Sequence, residues 1–392
     1  MGGGFDFVKP PASILPRRGG GSVRIDRPLF VSTLLLIGMG LVMVFSSSAN
    51  MAQARFGSTY LFVRKQLLWD CVGFLAMLFF MRVDYHRWQK LAYALLGLAL
   101  VSLGAVLAVG PVIKGARRWI RYGGFTFQPS ELAKLALILA VASFLDRHRS
   151  HLKNFNKGLI PVMLVIGLTL GLIVMEPDLG TPLMLGSVSL MLIFLAGAPG
   201  RYLVGMLCVS LLPVYYLLFH VSYRRRRLLA FLNPWASAQG TGYQVTQSLL
   251  AFGSGGLFGK GLGASTLKLL YLPDPHTDFI FPIIGEELGF IGAASVIVLF
   301  LFWGMRGWQA SRRAPDLFGQ LLAAGITCWI LLQAAINMGV SCGILPTKGL
   351  PLPFISFGGS SSVITLIAVG ILLNISSRGE REKIEAMRKM KS

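Results

Sequence analysis

Residues 271–290 read YLPDPHTDFIFPIIGEELGF and place four acids, Asp274, Asp278, Glu286 and Glu287, in a chain that is otherwise strongly basic. Asp274 and Asp278 precede an apolar run, and Glu286 and Glu287 fall inside it. Carboxylates within an apolar segment are costly and by default suggest function. If the run is a helix, Asp278 stands at its N-cap position, on the boundary between water and membrane. Spacing alone leaves two readings open for it: an ordinary helix cap, or a boundary carboxylate that does chemistry.

The rest of the chain makes the membrane explicit. Of 392 residues, 54% are hydrophobic and only 14% charged, and the mean hydropathy is +0.66. Repeated apolar runs of about 20 residues are what a polytopic helical membrane protein requires. Ten such segments are visible, at roughly 29–49, 67–81, 91–110, 131–145, 159–175, 181–197, 202–220, 279–303, 317–341 and 359–375. The expected fold is therefore all-α, with ten transmembrane helices and a large outer loop, 221–278, between the seventh and eighth. A Gly-, Pro- and Arg-rich stretch, 1–28, reads as a disordered cytoplasmic tail with no removable signal peptide. The membrane body spans 29–375, and 376–392 reads as a basic cytoplasmic tail.

The net charge of +21 would suggest nucleic acid in a soluble protein. Here the bases sit between apolar runs, so the positive-inside rule and anionic lipid explain them without a nucleic-acid partner. Both termini are expected in the cytoplasm, with roughly 22 bases inside against roughly 14 outside. Cys71, Cys208, Cys328 and Cys342 show no metal or redox spacing.

Two basic clusters break the inside rule: Lys114, Arg117, Arg118 and Arg121 in one outer loop, and Arg224–Arg227 at the start of the largest one. Three readings stand: a reversed topology, anchoring to lipid phosphates, or an outward cavity for an anionic substrate. Two clusters on one face favour the last, because guanidinium and ammonium groups recognise phosphate well. The glycine-rich run 253–263 lacks the spacing and preceding strand of a nucleotide loop. It reads instead as flexible backbone or as a close approach to a bulky ligand. The loop Gly343–Ser362 is dense in Pro, Gly and Ser, a composition tolerated at membrane depth only where it is buried or lines a cavity.

Under this topology the sixteen acids divide evenly. Asp6, Asp26, Asp84, Asp146, Asp316, Glu380, Glu382 and Glu385 lie inside beside bases, where a solvated-face reading suffices. Asp70, Glu131, Glu176, Asp178, Asp274, Asp278, Glu286 and Glu287 lie at or below the outer interface, which implies an outward polar site. Glu131 and Lys134, at i and i+3, read as a structural salt bridge that shapes the site. Glu176 and Asp178 flank a proline at a tight turn, placed to cap the next helix or hold an arginine. Glu286 is about 80° round and some 12 Å along a helix from Asp278, and shares a cavity with it more easily than Glu287 does. His276 either tunes the Asp278 pKa or is a polar surface residue. No Ser/His/Asp arrangement supports a nucleophile.

Several motifs in this order, FQPSELAK (127–134), GYQVTQSLLAFGSGGLFGKGLG (242–263), HTDFIFPIIGEELG (276–289) and LPTKGLPLPFISFGGSSS (345–362), resemble the FtsW/RodA/SpoVE proteins, also called SEDS. The similarity runs from about 27 to 378, and the wording is nearer the FtsW branch than RodA. Phe357 departs from the tyrosine common there and leaves the loop's GGS intact.

The resemblance implies a ten-span inverting glycosyltransferase of the bacterial cytoplasmic membrane, enriched at the division septum. It would polymerise lipid II into peptidoglycan on the outer face, beside a class B penicillin-binding protein and other divisome proteins. Asp278 matches the family's essential aspartate, in the role of general base. Arg117, Arg118, Arg121 and Lys348 are candidates for the substrate pyrophosphate, and His276 and Glu286 for further substrate contacts. Glu131, Lys134, Glu176 and Asp178 are assigned to site architecture. No cofactor is certain; the outer acids are ligands of the type that holds Mg²⁺ or Mn²⁺, but no spacing marks a metal site. The alternatives are a lipid II flippase, an elongation polymerase of the RodA type, or a division scaffold.

Overall fold

The computed structural model describes residues 25–113, 115–122, 125–238, 240, 242–265 and 276–389. Lys114 and Asp274, singled out above, lie outside them. The described chain is helical apart from one small hairpin. In order come α1 (Arg27–Phe56), α2 (Leu61–Arg82), α3 (Tyr85–Val109), the antiparallel pair β1 (Ile120–Tyr122) and β2 (Phe125–Phe127), and α4 (Pro129–Arg147). Next are α5 (Ile160–Met175), α6 (Gly180–Leu195), α7 (Gly200–Phe219), α8 (Ser222–Leu232) and α9 (Tyr243–Gly255). The chain closes with α10 (Ile280–Arg313), α11 (Leu317–Ser341) and α12 (Gly359–Lys389).

Each expected apolar segment coincides with a helix. Seven stretches are long and apolar enough to cross a membrane: Arg27–Phe56, Tyr85–Val109, Phe155–Met175, Gly200–Phe219, Ile280–Arg313, Leu317–Ser341 and Gly359–Glu380. Of the other three, α6 is a shorter apolar helix, while α2 and α4 carry more charge, including Arg64, Lys65 and Asp70 on α2 and Glu131 and Lys134 on α4. The large segment 221–278 is not a plain loop, since it folds into α8 and α9. The basic tail expected from 376 begins as helix, because α12 continues to Lys389.

Burial sorts the helices. The apolar windows of α11 and α12 are 67% and 78% buried, and that of α7 only 6%. With all-apolar surfaces, the first two form the centre of the bundle and the last faces outward. Small residues set the close approaches: Gly73 of α2 against Leu366 of α12, Gly370 of α12 against the Met77 carbonyl, and Gly307 of α10 against Thr327 of α11.

Three aspartates start helices at one end of the bundle, each accepting a backbone N–H: Asp26 from Leu29, Asp84 from His86 and Asp316 from Gly319. Asp84 and Asp316 stay partly exposed, but Asp26 is not the solvated group its sequence neighbours suggested. Asp26 is buried, gripped by Arg306 at 2.8 Å and by the Ser376 hydroxyl at 3.0 Å. The opposite end carries Asp278.

At that end Gly289 (φ 70°, ψ −167°) breaks α10 into a short buried segment and a long helix. The glycine-rich run packs into the break. Lys260 and Gly261 donate their amides to the Glu286 and Glu287 carbonyls, while Phe290 and Ile291 donate theirs to Gly256 and Leu257. A Cβ on Gly259 (φ 81°) would lie 2.2 Å from the Glu287 carbonyl oxygen. The glycines thus permit backbone to meet backbone.

Candidate functional site

Asp278 is fixed through its main chain. The carbonyls of three successive residues are each held by a separate donor. Phe357 N–H donates to His276 at 2.9 Å, the Ser356 hydroxyl donates to Thr277 at 2.6 Å, and the Asn337 side-chain amide donates to Asp278 at 2.8 Å. The same amide donates to Leu350 at 2.7 Å. One turn earlier on α11, Gln333 donates to Pro351 at 2.8 Å. The face of α11 presented by Gln333 and Asn337 therefore ties the loop 343–358 to the start of α10. Residues 352–356 of that loop are buried, with Phe354 packed on Phe300 and Trp303. Irregular backbone is kept deep in the bundle because protein encloses it.

This clamp fixes the backbone from which the Asp278 carboxylate projects. The N-cap residue of α10 is Phe279, which follows Asp278 directly. Its carboxylate faces Gly349, where an added Cβ would lie 2.9 Å from Oδ2. Lys348 is the next residue, with its side chain against Gly180 at the start of α6. Burial lowers the pKa of the Lys348 ammonium from its ordinary value; Asp178 opposes the shift and Arg224 adds to it.

Glu131 and Lys134 form the expected pair at 2.7 Å, both buried. Lys134 also donates to Gln333 Oε1 at 3.0 Å and lies over the Trp329 ring. A continuous polar chain thus runs from α4 through α11 to the loop beside Asp278. Asp178 caps α6, with Oδ1 accepting from the Gly180 and Thr181 amides and Oδ2 from the Thr181 hydroxyl. Glu176 is fully buried, and its carboxylate oxygens have no partner of good hydrogen-bond geometry, the Ser130 hydroxyl being only a weak contact. Its pKa is pushed up to about 8, chiefly by burial and then by Asp178, with Arg118 opposing.

The remaining candidates have partners of their own or stand exposed. Arg117 Nη1 donates to the Leu107 and Ala108 carbonyls at 3.1 and 3.0 Å, closing the end of α3. Arg118 donates to the Glu176 and Pro177 carbonyls, each at 2.7 Å. Arg121 is exposed on the hairpin. His276 is not a surface group; it is buried, with ring centroids 4.5 Å from Phe62 and 5.4 Å from Phe357. Glu286 is completely buried and accepts from Lys260 at 2.8 Å and from the Ser265 hydroxyl at 2.5 Å. Glu287 accepts from the Ser46 hydroxyl at 2.6 and 2.7 Å. Both glutamates therefore staple α1 and the glycine-rich run onto α10. Among the described residues no three His, Cys, Asp or Glu side chains converge in a group that could hold a metal ion.

Residues 27–381 match the family model FTSW_RODA_SPOVE, described as "Cell cycle protein". The chain belongs to the FtsW/RodA/SpoVE family. A relative in Geobacter metallireducens, named "Probable peptidoglycan glycosyltransferase FtsW", is 45% identical over 357 residues, covering 91% of this chain and 95% of its own. Stage V sporulation protein E of Bacillus subtilis is 42% identical over 353 residues, covering 90% and 96%. Among solved structures, a chain from work on "polymerization and crosslinking by a peptidoglycan synthase complex" superposes with a TM-score of 0.77. It is 28% identical, over 91% of this chain and 99% of that one. The rod shape determining protein RodA of Thermus thermophilus gives a TM-score of 0.66 at 27% identity, over 90% and 97%. Family and apolar helices together make this a multi-pass membrane protein.

For an FtsW/RodA/SpoVE protein the residues missed from sequence are the polar ones inside apolar helices. Gln333 and Asn337 lie four apart on α11, the same-face spacing of a helix, and that was the one available signal.

Proposed function

We propose that this chain is a peptidoglycan glycosyltransferase that polymerises lipid II, the polyprenyl-pyrophosphate-linked disaccharide-pentapeptide, with Asp278 as general base. The observation that carries this is the triple backbone clamp on His276, Thr277 and Asp278, which fixes the backbone of one carboxylate facing Gly349 in the loop 343–358. The names of the relatives support the same activity.

In the reaction, the GlcNAc 4-hydroxyl attacks the anomeric carbon of the MurNAc that ends the growing strand. The new glycosidic bond forms as the bond to lipid pyrophosphate breaks. The hydroxyl is a weak nucleophile until its proton is accepted, and the Asp278 carboxylate takes that proton. The diphosphate leaves with the electron pair, and its growing charge is stabilised by fixed cations. An α-linked donor and a β-linked product require one inverting displacement, so one base suffices. The helices form ten spans, the Asp278 end faces outward, and both termini lie in the cytoplasm, in keeping with the Lys/Arg distribution. The partner is a class B penicillin-binding protein, in line with the synthase complex to which the chain is structurally similar.

The test is polymerisation of lipid II by purified protein, alone and with its transpeptidase. Wild type with partner is expected to make glycan, and Asp278→Ala to make none. Equal glycan from Asp278→Ala would remove the base assignment. No glycan from wild type with partner, together with lipid II movement across vesicles, would replace the polymerase with a transporter.

A further inference from the structure

One buried line of α2 runs Gln66, Asp70, Gly73, Met77 and Met81, the four-and-three spacing of a single helix face. Gly73, Met77 and Met81 are the apolar packing such a face requires. Gln66 and Asp70, nearest the Asp278 end, are polar, and residues 67 and 68 between them are exposed. Asp70 is only 6% exposed, and the proposed reaction gives it no task. A carboxylate there costs free energy that a leucine would not.

Asp70 Oδ1 accepts from Gln66 Nε2 at 2.9 Å. Its Oδ2 has no partner of good hydrogen-bond geometry, the Ser362 hydroxyl being only a weak contact. An acceptor oxygen facing Gln66 admits only the NH₂ side of the amide. Nε2 therefore turns to Asp70 and to the Ser362 hydroxyl, at 3.1 Å, which leaves Oε1 to face the loop. That oxygen accepts the Gly358 N–H at 3.2 Å. Three successive loop residues are thereby engaged: Ser356 donates to Thr277, Phe357 to His276 and Gly358 to Gln66. The first two hold the segment that carries Asp278, and the third anchors them to α2. One turn before Gln66, the Phe62 ring centroid lies 4.5 Å from His276 and 5.4 Å from Phe357. Trp69 closes against Gly359, where an added Cβ would lie 2.6 Å from the indole nitrogen. One face of α2 thus meets both halves of the clamp.

We infer that Gln66 is a positioning residue for Asp278, acting through Gly358 and Phe357, and that Asp70 fixes the orientation of its amide. The role rests on the glycosyltransferase reading, in which the Asp278 carboxylate takes the proton. Gln66 touches no reacting atom there; it holds the backbone that aims the base. A misplacement of about 1 Å at a reacting centre costs about 100-fold in rate, and losing one anchor of several is expected to cost less.

The experiment measures kcat and KM for lipid II polymerisation by the full chain with its transpeptidase. Gln66→Leu is expected to lower kcat about tenfold with KM within about twofold. Gln66→Glu sets two carboxylates against each other and is expected to fall as far. Gln66→Glu/Asp70→Asn restores a donor facing an acceptor and keeps an acceptor for Gly358, so it is expected to return to within about threefold of wild type. Asp26→Ala, at the opposite end of the bundle, is the destabilised comparison and is expected to keep the wild-type kcat. Hydrogen exchange in the peptide spanning 354–360, followed without substrate, is expected to quicken about tenfold in Gln66→Leu and not in Asp26→Ala. Wild-type kcat in Gln66→Leu, a rise in KM alone, or a double variant no better than Gln66→Glu each overturns the positioning role. An equal loss of kcat in Asp26→Ala overturns it too, since general loosening would then explain both. If Gln66→Leu fails to fold, the comparison of Gln66→Glu with the double variant decides. Polymerisation by wild type, with kcat and exchange that ignore Gln66, removes the positioning role alone. Exchange that depends on Gln66 in a wild type that makes no glycan removes the glycosyltransferase reading and leaves the α2 anchor standing.

Discussion

The two ends of the bundle spend their charges differently. At the Asp26 end, acids and bases close on one another. Arg306 grips both oxygens of Asp26, Arg378 meets Asp84 at 2.9 Å and lies over the Tyr85 ring, and the Tyr85 hydroxyl donates to Asp316. These contacts join the starts of α1, α3 and α11 to the ends of α10 and α12, and they leave little polar capacity over. At the Asp278 end the pairs Glu131–Lys134 and Glu286–Lys260 also close, but many side chains reach for main chain. Arg117, Arg118, Gln333, Asn337 and Ser356 all donate to backbone carbonyls. Glu176 and Arg224 keep buried polar atoms without partners of good hydrogen-bond geometry. Reciprocal pairing locks helices together, whereas donors aimed at carbonyls hold irregular backbone in place.

That contrast is broken or sharpened by variants at each end. The largest effect belongs to Asp278→Asn, which keeps shape and removes the proposed base. Its polymerisation rate is expected to fall about 100-fold or more, read with lipid II at saturation. Asn337→Leu removes the donor shared by the Asp278 and Leu350 carbonyls. About a tenfold fall in kcat with KM within about twofold is expected, because geometry at the reacting centre suffers more than binding. A rise in KM alone would instead make Asn337 a substrate contact.

At the other end, Asp26→Ala strands Arg306, which is 20% exposed in its side chain and so partly screened. Stability is expected to drop by about 2 kcal/mol, below the cost of breaking a fully buried pair. Specific activity of the folded fraction stays at the wild-type level, and a fall in it would erase the division of labour between the ends.

The smallest effect is a pH slope. Glu176 is protonated in the fold up to about pH 8, whereas an unfolded glutamate ionises near 4.5. The native state therefore binds the extra proton between those values, and stability declines as pH rises through that window, then levels off. Thermal melts in detergent from pH 5 to 9 are expected to show a shallower decline for Glu176→Gln than for wild type. Identical slopes would mean that Glu176 is solvated or paired.

Much of the scaffold was legible because the information is local. Ten runs of apolar residues coincide with helices, and Glu131 and Lys134 pair as their i, i+3 spacing requires. The Pro- and Gly-rich loop 343–358 is enclosed by protein, the only state the bilayer permits it. The glycine-rich run illustrates the limit. Composition said that something approaches its backbone closely, but not that the visitor is the broken start of α10.

What the sequence determined by itself was a basic, apolar, helical chain with its unexplained acids gathered at one set of helix ends. The membrane solvent forces that much, since every buried backbone group must be paired within its own segment. What only the tertiary structure decided was how those ends spend their donors. Asn337 and Asp278 are 59 positions apart, and no local rule assigns one to the other. The same holds for the basic clusters: Arg117 and Arg118 match Arg224 in chemistry, and only packing gives the first two a carbonyl and leaves the third open. Hydrogen bonds act over about 3 Å, so which residues share that distance is a property of the folded bundle.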